Sequence, residues 1–176
     1  MIMCSYLEAG LWIGLLLVKK LARGASWIGV SEPSSNRRQV ALKLSATATF
    51  DPLSTDVATE TNKATNDRGA DIVFDCAGVQ GGLDTAIAAV RTRGKIINIA
   101  TWENTSTFNV NKLMAKEAVY TAVIGYDNVF PQIMEALREG HYDGTEALIT
   151  KKIPLEDVVE KDIRALVQEK DTQSKQ

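Results

Sequence analysis

Ala70-Asp-Ile-Val-Phe-Asp-Cys-Ala-Gly78 is an apolar run broken by two aspartates and closed by a glycine. A short apolar run bounded by turn formers reads as a strand, and one that is nearly all apolar reads as a strand buried on both faces. Positions 81–92 then follow a helical period, and positions 95–100, Lys-Ile-Ile-Asn-Ile-Ala, form a second apolar run. Strand, helix and strand within roughly 30 residues make a βαβ unit, whose two strands must lie parallel.

The alternation continues in both directions. Further strands are predicted at 27–31, 47–50 and 119–124, and helices at 12–23, 34–44, 54–66, 128–139 and 155–169. Gly24, Gly69, Gly94 and Gly140 each fall just after a predicted helix, where a left-handed residue is least costly. Pro33, Pro52 and Pro154 fall at turns or helix starts. This pattern predicts a doubly wound, mostly parallel α/β sheet with helices on both faces. The weakest element is the first: positions 1–7 mix Cys4 and Ser5 into an apolar run that ends at Glu8, so any strand there is short. No linker or repeat divides the chain, which reads as one domain over 1–170 with a polar tail at 171–176.

Composition narrows the function. The chain has 176 residues, 45% apolar and 24% charged, with a formal net charge of −2 and no basic block, so nucleic acid is not an expected partner. Cys4, Cys76 and His141 are too few for a four-ligand zinc site or a disulfide framework, and a reducing, cytoplasmic setting is expected. The apolar run from Leu11 to Val18 is far below the ~20 residues that cross a bilayer. Its flanks, Glu8 before and Lys19 and Lys20 after, reverse the charge order of a secretory leader. No membrane association is expected.

Ala9-Gly10-Leu11-Trp12-Ile13-Gly14 lies between the first strand and a strong helix. Glycines at such a turn let backbone approach a pyrophosphate at a helix N-terminus, although two glycines can equally serve close helix packing. Glu32 follows the second predicted strand at close to the ~20-residue spacing of the acid that binds an adenosine ribose. A carboxylate there accepts hydrogen bonds from a diol and repels a 2′-phosphate, favouring NAD over NADP; the alternative is an ordinary solvent-facing acid. Arg37 and Arg38 pull the other way, since an arginine can flank adenine or receive a phosphate.

Several alternatives are set aside. No Tyr-x-x-x-Lys pair occurs, since Tyr6, Tyr120, Tyr126 and Tyr142 are followed four residues on by Gly10, Ile124, Phe130 and Glu146. Cys76 at a strand end reads as a small apolar residue without the basic partner a nucleophile needs. His141, in Gly-His-Tyr-Asp-Gly, reads as an exposed turn histidine. Asn104-Thr105-Ser106 matches a glycosylation acceptor by chance.

The segments Ile13-Gly-Leu-Leu, Val30-Ser-Glu-Pro-Ser, Ala70 to Gln80, Leu83-Asp-Thr-Ala-Ile, Arg93-Gly-Lys, Asn98-Ile-Ala, Thr107-Phe-Asn and Ile149 to Glu160 resemble those of the medium-chain zinc-type alcohol and polyol dehydrogenases, especially the 2,3-butanediol dehydrogenase-like members. The resemblance runs from about Gly10 to Glu169. It implies a Rossmann-like domain that binds NAD(H), within a protein whose second domain carries zinc and which moves a hydride between NAD and a secondary alcohol or ketone. Carried over by position, Gly10, Ile13 and Gly14 would lie at the pyrophosphate, Glu32 at the adenosine ribose and Arg37 at the adenine side. Ala77 and Gly78 would end the fourth strand, and Ala100, Thr101, Val123 and Ile124 would pass near the nicotinamide half. The resemblance also implies pairing of two such domains through the edge strand near Val119 to Ile124.

Two departures shape the expectation. Leu11 or Gly10 stands at the family's second glycine, where a leucine side chain would obstruct a pyrophosphate. The zinc domain is not in the chain, and Cys4 and His141 do not replace its ligands. Neither a catalytic nor a metal-binding residue is therefore assigned, and a truncated domain without independent turnover is expected. The alternative is a non-catalytic interaction module.

Overall fold

The apolar runs assemble, in the computed structural model, into one six-stranded sheet of order β3-β2-β1-β4-β5-β6 with every neighbouring pair parallel. The structure describes residues 2–5, 11–149 and 152–164. The strands are β1 (Ile2–Ser5), β2 (Ile28–Ser31), β3 (Ala48–Phe50), β4 (Ala70–Asp75), β5 (Val90–Asn98) and β6 (Val119–Ala122). The helices are α1 (Leu11–Leu21), α2 (Ser35–Lys43), α3 (Val57–Ala64), α4 (Gln80–Ala89), α5 (Val110–Ala115) and α6 (Phe130–Arg138). This is the doubly wound, Rossmann-like arrangement that the βαβ pattern predicts. The order reverses between β1 and β4, and open α/β sheets bind their ligands at the strand ends beside such a reversal.

Side chains alternate across a strand, so a two-sided sheet needs two cores. Ile28 and Val30 of β2 pack with Val18 of α1 and Ala41 of α2 in one cluster. Val73 of β4 and Ile96 of β5 pack with Val57 of α3 and Leu83, Ala86 and Ile87 of α4 in the other. Phe74, next to Val73, belongs to the first cluster, as alternation requires. Helix starts carry the acceptors that spare N–H groups need: Asp56 accepts from Thr59 N at 3.2 Å, and Asn109 from Lys112 N at 3.3 Å.

Three expectations need correction. Gly94 does not follow a helix; it lies inside β5, where a Cβ would stand 2.6 Å from Val90 Cγ2 and 2.9 Å from the Arg91 carbonyl. That strand begins at Val90, directly after α4, because Lys116 Nζ donates to the Ala88 and Val90 carbonyls at 2.6 Å each and satisfies the helix end without a loop. Helix α5 was not predicted. The expected helix at 155–169 is instead a 3-10 turn at Leu155–Asp157 and a π turn at Val159–Ile163, and its remainder lies outside the described residues.

Candidate functional site

Two clusters of polar contacts gather at the carboxyl ends of the strands. The first follows β2. Glu32 donates its main-chain N–H to Phe50 O at 3.0 Å, extending the ladder one residue past the strand, and is only 3% exposed. Its Oε1 accepts the Ser34 N–H at 2.8 Å and lies 3.8 Å from Arg37 Nη1. The reading of Glu32 as a solvent-facing acid is therefore wrong. Arg38 Nη1 donates to the Glu32 and Pro33 carbonyls at 2.7 Å each and pairs with Asp51 Oδ2 at 3.5 Å, so this guanidinium anchors the turn.

The second cluster spans the ends of β4, β5 and β6. Asp75, fully buried, accepts the Ala77 and Gly78 N–H groups on Oδ1 at 3.0 and 3.3 Å. Its other oxygen has no hydrogen-bond partner, and burial pushes its pKa above the ordinary carboxylate range. Gly78 has φ of +65°, and a Cβ there would stand 3.0 Å from Thr101 O and 3.2 Å from Ala100 Cβ. Asn98 Nδ2 donates to Ala100 O and Trp102 Nε1 donates to Asn98 Oδ1, both at 2.9 Å. Val123 N donates to Asn98 O at 3.0 Å. Between the ends of β5 and β6 opens a groove of about 630 Å³ whose walls include Ala100 and Thr101 on one side and Val123, Ile124 and Tyr126 on the other.

The sequence-predicted residues divide accordingly. Ala100, Thr101, Val123 and Ile124 share the groove, and Gly78 abuts its Ala100 wall. Glu32 and Arg37 form the separate cluster after β2. Gly14 is buried in α1, and Leu11 is the first residue of that helix rather than part of a turn. Ile13 also lies in α1, while Gly10 lies outside the described residues. Asp75, Asn98 and Trp102 were not picked out, although an acid at the end of an apolar strand is itself a signal, since buried acids need partners.

His141 does lie in a turn, but its side chain is only 15% exposed and its Nε2 lies 2.7 Å from Glu139 Oε2, so the exposed reading is corrected. Among the described residues, no three His, Cys, Asp or Glu side chains converge as a metal site would require, and no helix is long and apolar enough to cross a membrane. Cys76 is buried, with its thiol pushed up to about 12 by burial and by the neighbouring Asp75. At pH 8 only on the order of one thiol in 10⁴ would be ionised. In a Cys4→Ser background we expect an aromatic disulfide reagent to label Cys76 only after denaturant is added; prompt labelling of the native protein would contradict this burial.

Comparison with known proteins supplies the family. Residues 13–139 match the family described as zinc-binding dehydrogenase. The (R,R)-butanediol dehydrogenase of Bacillus subtilis is 33% identical over 159 residues, covering 90% of this chain and 45% of that protein. The sorbitol dehydrogenase of the same organism is 31% identical, over 88% of this chain and 44% of its own length. The crystal structure of 2R,3R-butanediol dehydrogenase from Bacillus subtilis superposes with a TM-score of 0.85 at 34% identity, over 96% of this chain and 48% of that one. The alcohol dehydrogenase TADH from Thermus sp. ATN1, at 21% identity and a TM-score of 0.82, shares the fold. The chain belongs to the zinc-binding dehydrogenase family and is homologous to butanediol dehydrogenases. It spans less than half the length of these relatives.

Proposed function

We propose that the chain is the NAD(H)-binding domain of a butanediol dehydrogenase-like oxidoreductase, one that moves a hydride between NAD and a secondary alcohol or ketone in the whole protein. The observation that carries this reading is the buried Glu32 carboxylate at the carboxyl end of β2, the strand next to β1 at the reversal in strand order. A ribose diol can donate to that carboxylate, and a 2′-phosphate would meet its charge. Arg38, bonded to two carbonyls and paired with Asp51, is committed to the turn, which favours NAD over NADP. The groove between Ala100-Thr101 and Val123-Ile124 would take the nicotinamide half, with Ile13 and Gly14 at the pyrophosphate and Arg37 at the adenine side. NAD(H) supplies the hydride chemistry when bound, and this chain supplies binding and orientation. Zinc has no fitting ligand set among the described residues, so no step through it is assigned to this domain. The unpaired thiol of Cys76 suits a cytoplasmic location.

The test is a titration with NADH and NADPH that follows energy transfer from the tryptophans to the reduced nicotinamide. Saturable NADH binding is expected, with NADPH weaker and with Glu32→Ala weakening NADH by roughly 10- to 100-fold, the value of hydrogen bonds to a charged acceptor. No saturation at millimolar NADH would sink the reading. A second reading, a pairing module, draws on β6: it pairs only with β5 among the described residues, and Ile124 just beyond it is 97% exposed. Sedimentation equilibrium showing a dimer that ignores NADH would favour that module.

A further inference from the structure

One buried residue ties the turn after β4 to the Ala100 wall of the groove. Asp75 ends β4 without exposed surface. Its Oδ1 accepts the N–H groups of Ala77 and Gly78, which shapes the turn after the strand. Its main-chain carbonyl accepts Ile99 N at 2.8 Å and Ala100 N at 3.2 Å, which pins the end of β5 to that same turn. The fit between turn and strand end leaves no slack: the space a Cβ at Gly78 would need is already bounded by Thr101 O and Ala100 Cβ.

A buried acid is a costly bracket. One of its oxygens is buried without a hydrogen-bond partner, which costs free energy, while the other satisfies two main-chain N–H groups. What it holds is backbone that borders the groove. We infer that Asp75 is a positioning residue for the nicotinamide half of the cofactor, setting the approach of the Ala77-Gly78 turn to Ala100 and Thr101. The inference rests on the dinucleotide reading above. Asp75 acts through the backbone it orders and need not touch the ligand.

Two ligands separate this role from a general loss of structure: NADH, and ADP-ribose, which carries the adenosine ribose and pyrophosphate but no nicotinamide. Asp75→Ala is expected to weaken NADH about tenfold or more while leaving ADP-ribose within about twofold, since the lost bonds lie on the nicotinamide side. Asp75→Asn keeps an oxygen that can accept both N–H groups and should return NADH affinity to within about threefold of the wild type. Val57→Ala, in the core under α3, lowers stability without altering the ratio of the two affinities and serves as the control. Should Asp75→Ala fail to fold, Asp75→Glu, one methylene too long for the turn, is expected to lower the same ratio. Equal losses for both ligands, or no loss for either, would overturn the positioning role alone. A wild-type chain that binds neither ligand would overturn the dinucleotide reading and the inference with it.

Discussion

Gly78→Val should abolish saturable NADH binding and lower the thermal midpoint by several degrees. A β-branched residue held at φ of +65° costs about 1–3 kcal/mol, and for a chain of this size each kcal/mol moves the midpoint by about 2–4 °C. The steric cost adds to it. The added Cβ would meet Thr101 O at 3.0 Å and Ala100 Cβ at 3.2 Å, and the first of these is backbone, which cannot swing aside as a long side chain can. Relief comes only if the turn after β4 backs away from the end of β5, which changes the groove wall. Gly81→Ala provides the contrast three residues on. Nothing lies within 4 Å of a Cβ there, and its backbone is ordinary helix, so this change should stabilise by about 0.5–1 kcal/mol without touching affinity. A Gly78→Val protein that binds NADH like the wild type would remove this turn from the site.

The second large effect is expected in the core between α4 and the sheet. Leu83 is 1% exposed and packs in the cluster that contains Val73, Ile87 and Ile96. Leu83→Ala should cost about 3–4 kcal/mol, the transfer free energy of the lost atoms plus that of the cavity they leave. That corresponds to a fall in midpoint of roughly 6–16 °C. Leu53→Ala, at a leucine that remains 81% exposed, should stay within about 0.5 kcal/mol. Urea melts with unchanged slope would assign the difference to stability alone. A cost below about 1 kcal/mol at Leu83 would mean that α4 does not close this core.

Much of the architecture was legible because burial on both faces writes itself as apolar runs. The strands expected at 27–31 and 71–76 lie within a residue of the observed Ile28–Ser31 and Ala70–Asp75, while the order of the strands in the sheet comes from the structure. The errors have local causes. Gly94 imitates a helix stop because a glycine after an amphipathic stretch usually is one; here the glycine permits close approach inside a strand, and the real helix end is sealed by Lys116, distant in sequence. Helix α5 has six residues and no buried side chain, so no apolar stripe announces it, and only Asn109 as an N-cap could have flagged it. At the candidate site, Glu32 was singled out by its spacing and the groove residues by the family resemblance, with their places at strand ends in agreement. Asp75 was legible only as an acid in an apolar strand; what it does there is done on main-chain groups, whose positions no side-chain pattern records.

Strand β1 sits at the centre of the sheet, and within the sheet it alone joins the β2-β3 half to the β4-β5-β6 half. Ser5 lies opposite Asp75, its pairing partner across the reversal. At about 5–20 residues per second, a ribosome delivers that partner seconds after β1 itself. For that interval Ile2-Met3-Cys4 must wait with at most β2 beside it, an unpaired apolar edge on a nascent chain. Chaperone capture during synthesis should therefore concentrate on the interval before β4 has left the ribosome, and a pause placed within that interval would prolong the exposure.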